Sequence, residues 1–554
     1  MAMKSSSPIE NEVFEIWKEL SPSSAFNAGL SHYAGHLMIP DVEHLRKLET
    51  KIDEAIRRSE SQVERKFLSS VKTYSFLGEA QILPDMALDA FFTHMMKEGV
   101  RSTHMISLAQ DAAKALKAYS VTVSKKPCPT GIRILTSIRC HGLNEIIRSI
   151  KEASHSKMLH AAFRELQCAV NEYWSTFGIR GLKNSGFEEI VEICGKDGCE
   201  LGREEYLAGT LSDLFDYSES PSGLESKGIA MLARELPNFR RLTTSLAQKL
   251  HVEGRAEVVA SELSRKRGLR PMKILPFIHG IRRASLKLVD KYVVHVNPHY
   301  KTKVIQTPSY LSGIVPSGAA YFLDFLTNKP FQLFLATVDP RRAPMSVPGE
   351  LLNLLVHEEY GHCVHSSNSA YHYAAKPRLV ELLPSMAGSA ISEGISFQRE
   401  VDFLKYLKDL QSRTLTPSER PFVAFAAKIG GLGKLVEEYE FYTQMWRIIR
   451  FLRVIGDARI NSGEQTLLEF LDWAHAETHL SKSLIYHQVF PAHQGNGPGY
   501  ASTYAIIGEM VAEMQQLAER KGRDLVAFNT YASSIGFPPR SIFEERLKEY
   551  ATLG

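Results

Sequence analysis

Leu351-Leu352-Asn353-Leu354-Leu355-Val356-His357-Glu358-Glu359-Tyr360-Gly361-His362 is the stretch on which the reading of this chain turns. Its first half is an apolar helical run. Its second half packs two imidazoles and two carboxylates into six residues. Charge next to a buried face is costly unless it is paired or holds a metal. Two histidines with a carboxylate make a zinc-type donor set, and a further carboxylate can act as a base. The histidine spacing is unusual. In His-Glu-x-x-His the two imidazoles are four apart and share a helix face. Here they are five apart, which separates them by roughly 140° on a regular helix. Both reach one ion only if the helix takes up an extra residue in a π-bulge, a device frequent at functional sites. Gly361 lies within the spacing and eases such a distortion.

The third ligand is sought on a neighbouring element. Glu381, in Leu379-Val380-Glu381-Leu382, is one candidate. Glu393, in Ser392-Glu393-Gly394-Ile395-Ser396-Phe397-Gln398-Arg399-Glu400, is the preferred one. Pro384 closes the first segment and opens a long helix over Ser385 to Leu410. Glu393 and Glu400 are seven apart and share one face of it. That spacing lets one bind the ion while the other orients a ligand histidine. The predicted set is therefore His357, His362 and Glu393 as ligands of one zinc ion, Glu358 as general base, and Glu400 behind the ligands. His365, three residues past His362, is a helix-end histidine or an alternative partner for the site. Cys363 is read as packing.

These stretches resemble a domain-of-unknown-function family of zinc-peptidase relatives. Its motifs are His-Glu-x-x-Pro-Gly-His and, some thirty residues later, Glu-Gly-Trp-Ala-x-x-x-Glu. The resemblance extends to Tyr292 to Pro298, to Pro308-Ser309-Tyr310, to Gly499-Tyr500-Ala501-Ser502-Thr503-Tyr504 with Gly508-Glu509, and to Phe14 through Ala25. Two departures stand out. The proline before Gly361 is absent, and Ile395 replaces the tryptophan. The shortened motif is also similar to that of dipeptidyl peptidase III, whose second motif does not match. The wider similarity is to helical gluzincin peptidases. It implies a mainly α, two-lobed helical fold with a small β-sheet near the active-site groove. Residues 1–275 would form an N-terminal helical lobe and 276–554 the zinc-binding catalytic lobe, the two interlocked as one unit.

The chemistry implied is hydrolysis of a peptide or amide bond in a short substrate, through a zinc-activated water with Glu358 taking the proton. The developing oxyanion needs a donor. Tyr504, favoured by the resemblance, Tyr500, His487 and His493 all lie in the glycine- and proline-rich segment Ile485 to Tyr504. Arg341, Arg342 and Arg378 are candidates for holding a substrate carboxylate. The run Lys291 to Gln306 alternates β-branched residues and reads as a hairpin whose edge could accept an extended peptide. The alternative is a gluzincin scaffold turned to non-proteolytic Lewis-acid chemistry on a small molecule.

Composition narrows the class. Charge is balanced, with 66 basic and 62 acidic side chains in 554 residues, so no nucleic-acid partner is implied. No apolar run is long enough to span a bilayer. Met1 to Asn11 has no apolar stretch of the secretory kind, so cytoplasmic residence is expected. Six cysteines are too few for a disulfide framework, and Cys194 and Cys199 read as free thiols flanking a turn. Helical patterns run over 41–58, 60–74, 87–97, 103–119, 143–153, 157–177, 238–263, 419–434, 435–460, 463–480, 501–521 and 524–536.

Overall fold

A computed structural model describes residues 8–182, 186–308, 315, 317–327, 329–338, 346–375 and 378–553. The protein is mainly helical with one three-stranded sheet. Most predicted helices form close to their expected bounds, among them Val42–Arg58, Lys157–Phe177, Leu432–Asn461 and Thr503–Arg520. Two readings fail at prolines and loops. The pattern over 238–263 is the end of one helix, Pro221–Leu250, and the start of another, Ala256–Arg267. Pro237 is carried inside the first helix instead of bounding it, and left-handed His251 caps its end. The Thr130–Ala153 helix begins thirteen residues before the pattern at Leu143 suggests.

The sheet differs from the expected hairpin. Only Thr302–Gln306 (β1) of the Lys291–Gln306 run is a strand. Val293 instead caps the preceding helix. β1 pairs in parallel with Phe331–Ala336 (β3), and Gly318–Leu323 (β2) pairs antiparallel with β3, giving the order β1-β3-β2. The edge strand beside the cavity described below is β2, a short apolar run whose sequence does not distinguish strand from helix.

The main core runs without a break from Leu37 to Ala551 and takes residues from both sides of position 275. The Pro221–Leu250 helix packs along the Leu432–Asn461 helix across that division. A smaller cluster joins Trp17, Leu48 and Phe67 near the N-terminus to Leu379–Leu383. Leu432–Asn461 is buried along most of its length. Its buried polar side chains, Arg450, Arg453 and Asp457 among them, therefore need specific partners.

Among the described residues no helix is long and apolar enough to cross a membrane.

Candidate metal centre

The motif helix starts at Pro348, where proline's missing N–H costs nothing. It changes to a π-helix over Val356–Cys363 and resumes as α-helix at Val364. The widened turn brings the two imidazoles to one side, with ring centroids 4.9 Å apart and planes 87° to each other. Gly361 contributes by close approach, without any unusual φ. A Cβ there would stand 2.3 Å from Ser396 Oγ and 2.6 Å from its Cα. The Met386–Ser412 helix can therefore lie directly against the π-turn. Gly394 does the same on the far side, where a Cβ would meet Ile507 at 2.4 Å. The Glu393-Gly394 pair thus sits between the motif helix and the Thr503–Arg520 helix.

Glu393 reaches back between the imidazoles. Its Oε2 is 3.6 Å from His357 Nε2 and 3.3 Å from His362 Nε2. The three donor atoms lie within 4.8 Å of one another. Oε2 is buried and has no hydrogen-bond partner, an expensive state for a carboxylate oxygen. Oε1 accepts from the Tyr500 hydroxyl at 3.1 Å. The other ring nitrogens are each held from behind. His357 Nδ1 lies 2.7 Å from Glu400 Oε1, and His362 Nδ1 lies 2.8 Å from Ser392 Oγ. Glu400 also accepts from Asn353 Nδ2 at 3.1 Å and from Arg450 at 2.8 Å. Two imidazole nitrogens and one carboxylate oxygen, with the rings fixed from outside, form a set that fits zinc. Burial opposes charge on His357, but the neighbouring Glu393 and Glu400 carboxylates outweigh it and raise the imidazole to about 9. Metal binding at Nε2 would therefore compete with a proton.

The two neighbouring acids of the motif face apart. Glu358 lines the cavity, forms no hydrogen bond among the described residues, and has its carboxyl pushed up chiefly by burial. Glu359 is turned away and fully buried. It accepts from Arg282 Nε at 2.6 and 2.7 Å and from the Tyr300 hydroxyl at 3.0 Å. One acid is available for chemistry, and the other anchors the helix.

Tyr500, Tyr504 and His493 converge on the same cavity. The Tyr504 ring lies parallel to His357, with centroids 6.2 Å apart, and the His493 ring stands edge-on to Tyr504 at 5.5 Å. Asp457 sets this loop by accepting from the backbone N–H groups of Gly499 and Ser502 at 3.1 and 3.2 Å. His493 is buried, and burial with the nearby arginines holds it well below its usual pKa, so it is neutral. His487 turns elsewhere, with Nδ1 on the Ser483 carbonyl at 2.7 Å.

The cavity has a volume of about 520 Å³. The N-terminal half supplies Asp85, Asp89, Phe92 and Arg139 to its wall, and β2 runs along it from Gly318 to Phe322. Arg139 pairs with Asp85 at 2.7 Å.

Three expected residues fall away from the cluster. His365 is completely buried, with Nε2 2.9 Å from the Gly536 carbonyl and its ring against Phe537. It is a neutral core histidine, not a helix-end charge or a neighbour of the ligands. Arg378 is largely exposed and donates to Glu381 at 3.2 Å, outside the cavity wall. Glu381, the rival ligand, is buried in a separate ion-pair cluster with Arg546 and Tyr373. Arg341 and Arg342, like Ser309 and Tyr310, lie outside the described residues.

Sequence reasoning missed Arg450, Arg453, Asn353 and Ser392. The available signal was three arginines spaced by three within an apolar stretch, Trp446-Arg447-Ile448-Ile449-Arg450-Phe451-Leu452-Arg453.

No family model and no curated protein matches this chain. Two solved structures are similar to it. One, from Colwellia psychrerythraea and described as a "putative lipoprotein", is 12% identical with a TM-score of 0.64, covering 99% of this chain and 100% of that one. The other, from Shewanella oneidensis and described as a "putative lipoprotein of unknown function", is 15% identical with a TM-score of 0.64, covering 98% and 100%. At these identities the likeness is one of fold.

Proposed function

We infer that this protein is a zinc-dependent hydrolase acting on peptide or amide bonds of short substrates, related to the gluzincin peptidases. The observation that carries the reading is the unpartnered Glu393 Oε2 between two imidazole nitrogens, with the free carboxylate of Glu358 beside it. Zinc, held by His357, His362 and Glu393, would supply Lewis-acid polarisation of the scissile carbonyl and a water of lowered pKa. Glu358 takes a proton from the attacking water and passes it to the leaving nitrogen. Its desolvated carboxyl suits that task, because burial brings its pKa nearer the working pH. Tyr500 and Tyr504 are the nearby hydroxyl donors for the oxyanion. Glu400 and Ser392 keep the imidazoles in one tautomer and orientation.

A cavity of this volume suits a few amino-acid residues better than a folded protein. An extended substrate could add to the edge of β2 by backbone pairing. A cytoplasmic location is consistent with six free cysteines, two of which, Cys194 and Cys199, sit close enough for their thiols to interact. The two structural neighbours carry a lipoprotein description, so fractionation of cells expressing the full-length protein is the direct check of location.

The test of function is cleavage of a short-peptide library by the zinc-loaded wild type and by Glu358→Gln. The expected result is cleavage lowered about 100- to 10,000-fold in the variant at unchanged zinc content. Stoichiometric zinc with no amide cleaved by the wild type would favour the Lewis-acid alternative.

A further inference from the structure

The helix that positions Glu400 also carries a buried cation that no described carboxylate pairs with directly. Trp446, Arg450 and Arg453 are spaced by four and seven residues and share one face, which lines the cavity. Arg450 is paired with both oxygens of Glu400, at 2.8 and 2.7 Å. Arg453 is only 4% exposed, yet no carboxylate among the described residues forms an ion pair with it. Its Nε donates to the Gln488 carbonyl at 2.9 Å and one terminal nitrogen donates to Gln488 Oε1 at 2.6 Å. Its guanidinium lies 4.6 Å from the centre of the Tyr504 ring. These neutral contacts orient the group without pairing its charge directly. The second terminal nitrogen has no hydrogen-bond partner among the described residues. Nearby, Trp446 Nε1 and Arg450 Nε are buried donors that also lack acceptors. Among the described residues none of the cavity acids, Asp85, Asp89, Glu358 and Glu393, forms an ion pair with Arg453. Asp85 is taken by Arg139, Glu393 by the histidines, and Asp89 forms no ion pair.

An enclosed guanidinium held by one amide side chain and an aromatic face, with a free N–H edge, is suited to receive a planar anion. Through the Tyr504 ring it is two ring contacts from His357, a span of at most about three extended residues (roughly 3.4 Å each).

We propose that Arg453 binds a carboxylate of the substrate, making this site selective for short acidic or free-C-terminal peptides. The proposal takes the cavity to be the substrate site, as the hydrolase reading does. Two sources share that chemistry, the α-carboxylate of a terminal residue and an acidic side chain. Arg453 is a specificity-determining residue, and its loss raises KM more than it lowers kcat.

Binding without turnover tests this separately from hydrolysis. Glu358→Gln protein is titrated calorimetrically with N-acetyl-Ala-Phe, with its C-terminal amide, and with the amide of N-acetyl-Glu-Phe. The free acid is expected to bind at least tenfold tighter than the plain amide. If the glutamate-bearing amide regains that affinity, the acidic side chain is the preferred source; if it does not, the C-terminus is. Adding Arg453→Met should erase the difference, and Arg453→Lys should restore part of it. Thermal melting of each variant shows whether it is folded, and the acid-against-amide comparison needs no substitution at Arg453. Equal affinity for acid and amide, or binding of neither, overturns the proposal. Carboxylate selectivity with no peptide cleaved by the wild type would leave the proposal standing and overturn the hydrolase reading. Cleavage with no such selectivity would do the reverse.

Discussion

Glu381 and Glu393 are both buried glutamates on apolar segments, twelve positions apart in sequence, and their surroundings differ in one respect. Glu381 is saturated. Arg546 donates to both oxygens, at 2.5 and 2.9 Å, and Tyr373 and Arg378 complete the set. These donors hold its carboxyl below the ordinary range against the effect of burial. Glu393 is not saturated, since Oε2 faces two imidazole nitrogens and finds no donor. The first arrangement ties the Arg540–Thr552 helix to the segment after the motif and can do nothing else. The second has a coordination position left to give. Burial of charge alone does not mark a functional site, whereas burial with an unmet valence does.

Exchanging the roles of these two residues gives the largest expected effect. Glu393→Ala should lower zinc affinity by more than about 100-fold with the protein still folded, because two ligands and the outer shell remain. Glu381→Ala should leave zinc stoichiometric and cost about 3–5 kcal/mol in denaturant unfolding, since Arg546 is left partly buried without its counter-charge. The opposite pattern in equilibrium dialysis and urea melts would exchange the assignments.

Glu400 tests the shell behind the ligands. Glu400→Ala frees His357 Nδ1 and leaves Arg450 unpaired, so zinc affinity should fall about 10- to 100-fold while the ligand set persists. No change in dialysis would mean that Glu400 serves packing alone.

A smaller effect concerns pH. His365 is buried neutral, with burial lowering its pKa to about 3. The unfolded chain takes up a proton near 6.5 and the folded protein does not, so this residue makes the protein less stable as pH falls from about 6.5 towards 3. His365→Asn should flatten that part of the stability curve measured by urea unfolding and leave zinc content unchanged. A slope identical to wild type would contradict the neutral assignment.

The sequence made the motif region readable because its constraints are local. Five-residue histidine spacing demands a π-turn, and the structure has one over Val356–Cys363. A seven-residue carboxylate spacing demands one helix face, and Glu393 and Glu400 share it. Elsewhere the deciding contacts are distant in sequence. Arg453 meets Gln488 and Tyr504 across packed helices, and a charged residue on a helix otherwise reads as solvent-facing. β2 and β3 are six-residue apolar runs, too short for their pattern to distinguish strand from helix. The Asp85, Asp89 and Arg139 wall comes from helices more than two hundred residues from the motif.

Metal content of the purified protein by elemental analysis, in wild type and His357→Ala, tests the central claim most directly. One zinc per chain in the wild type, and much less than one in the variant at an unchanged melting temperature or above, is the result expected. A wild type that binds no divalent metal on dialysis against micromolar zinc, or a variant that keeps its full complement, would contradict it.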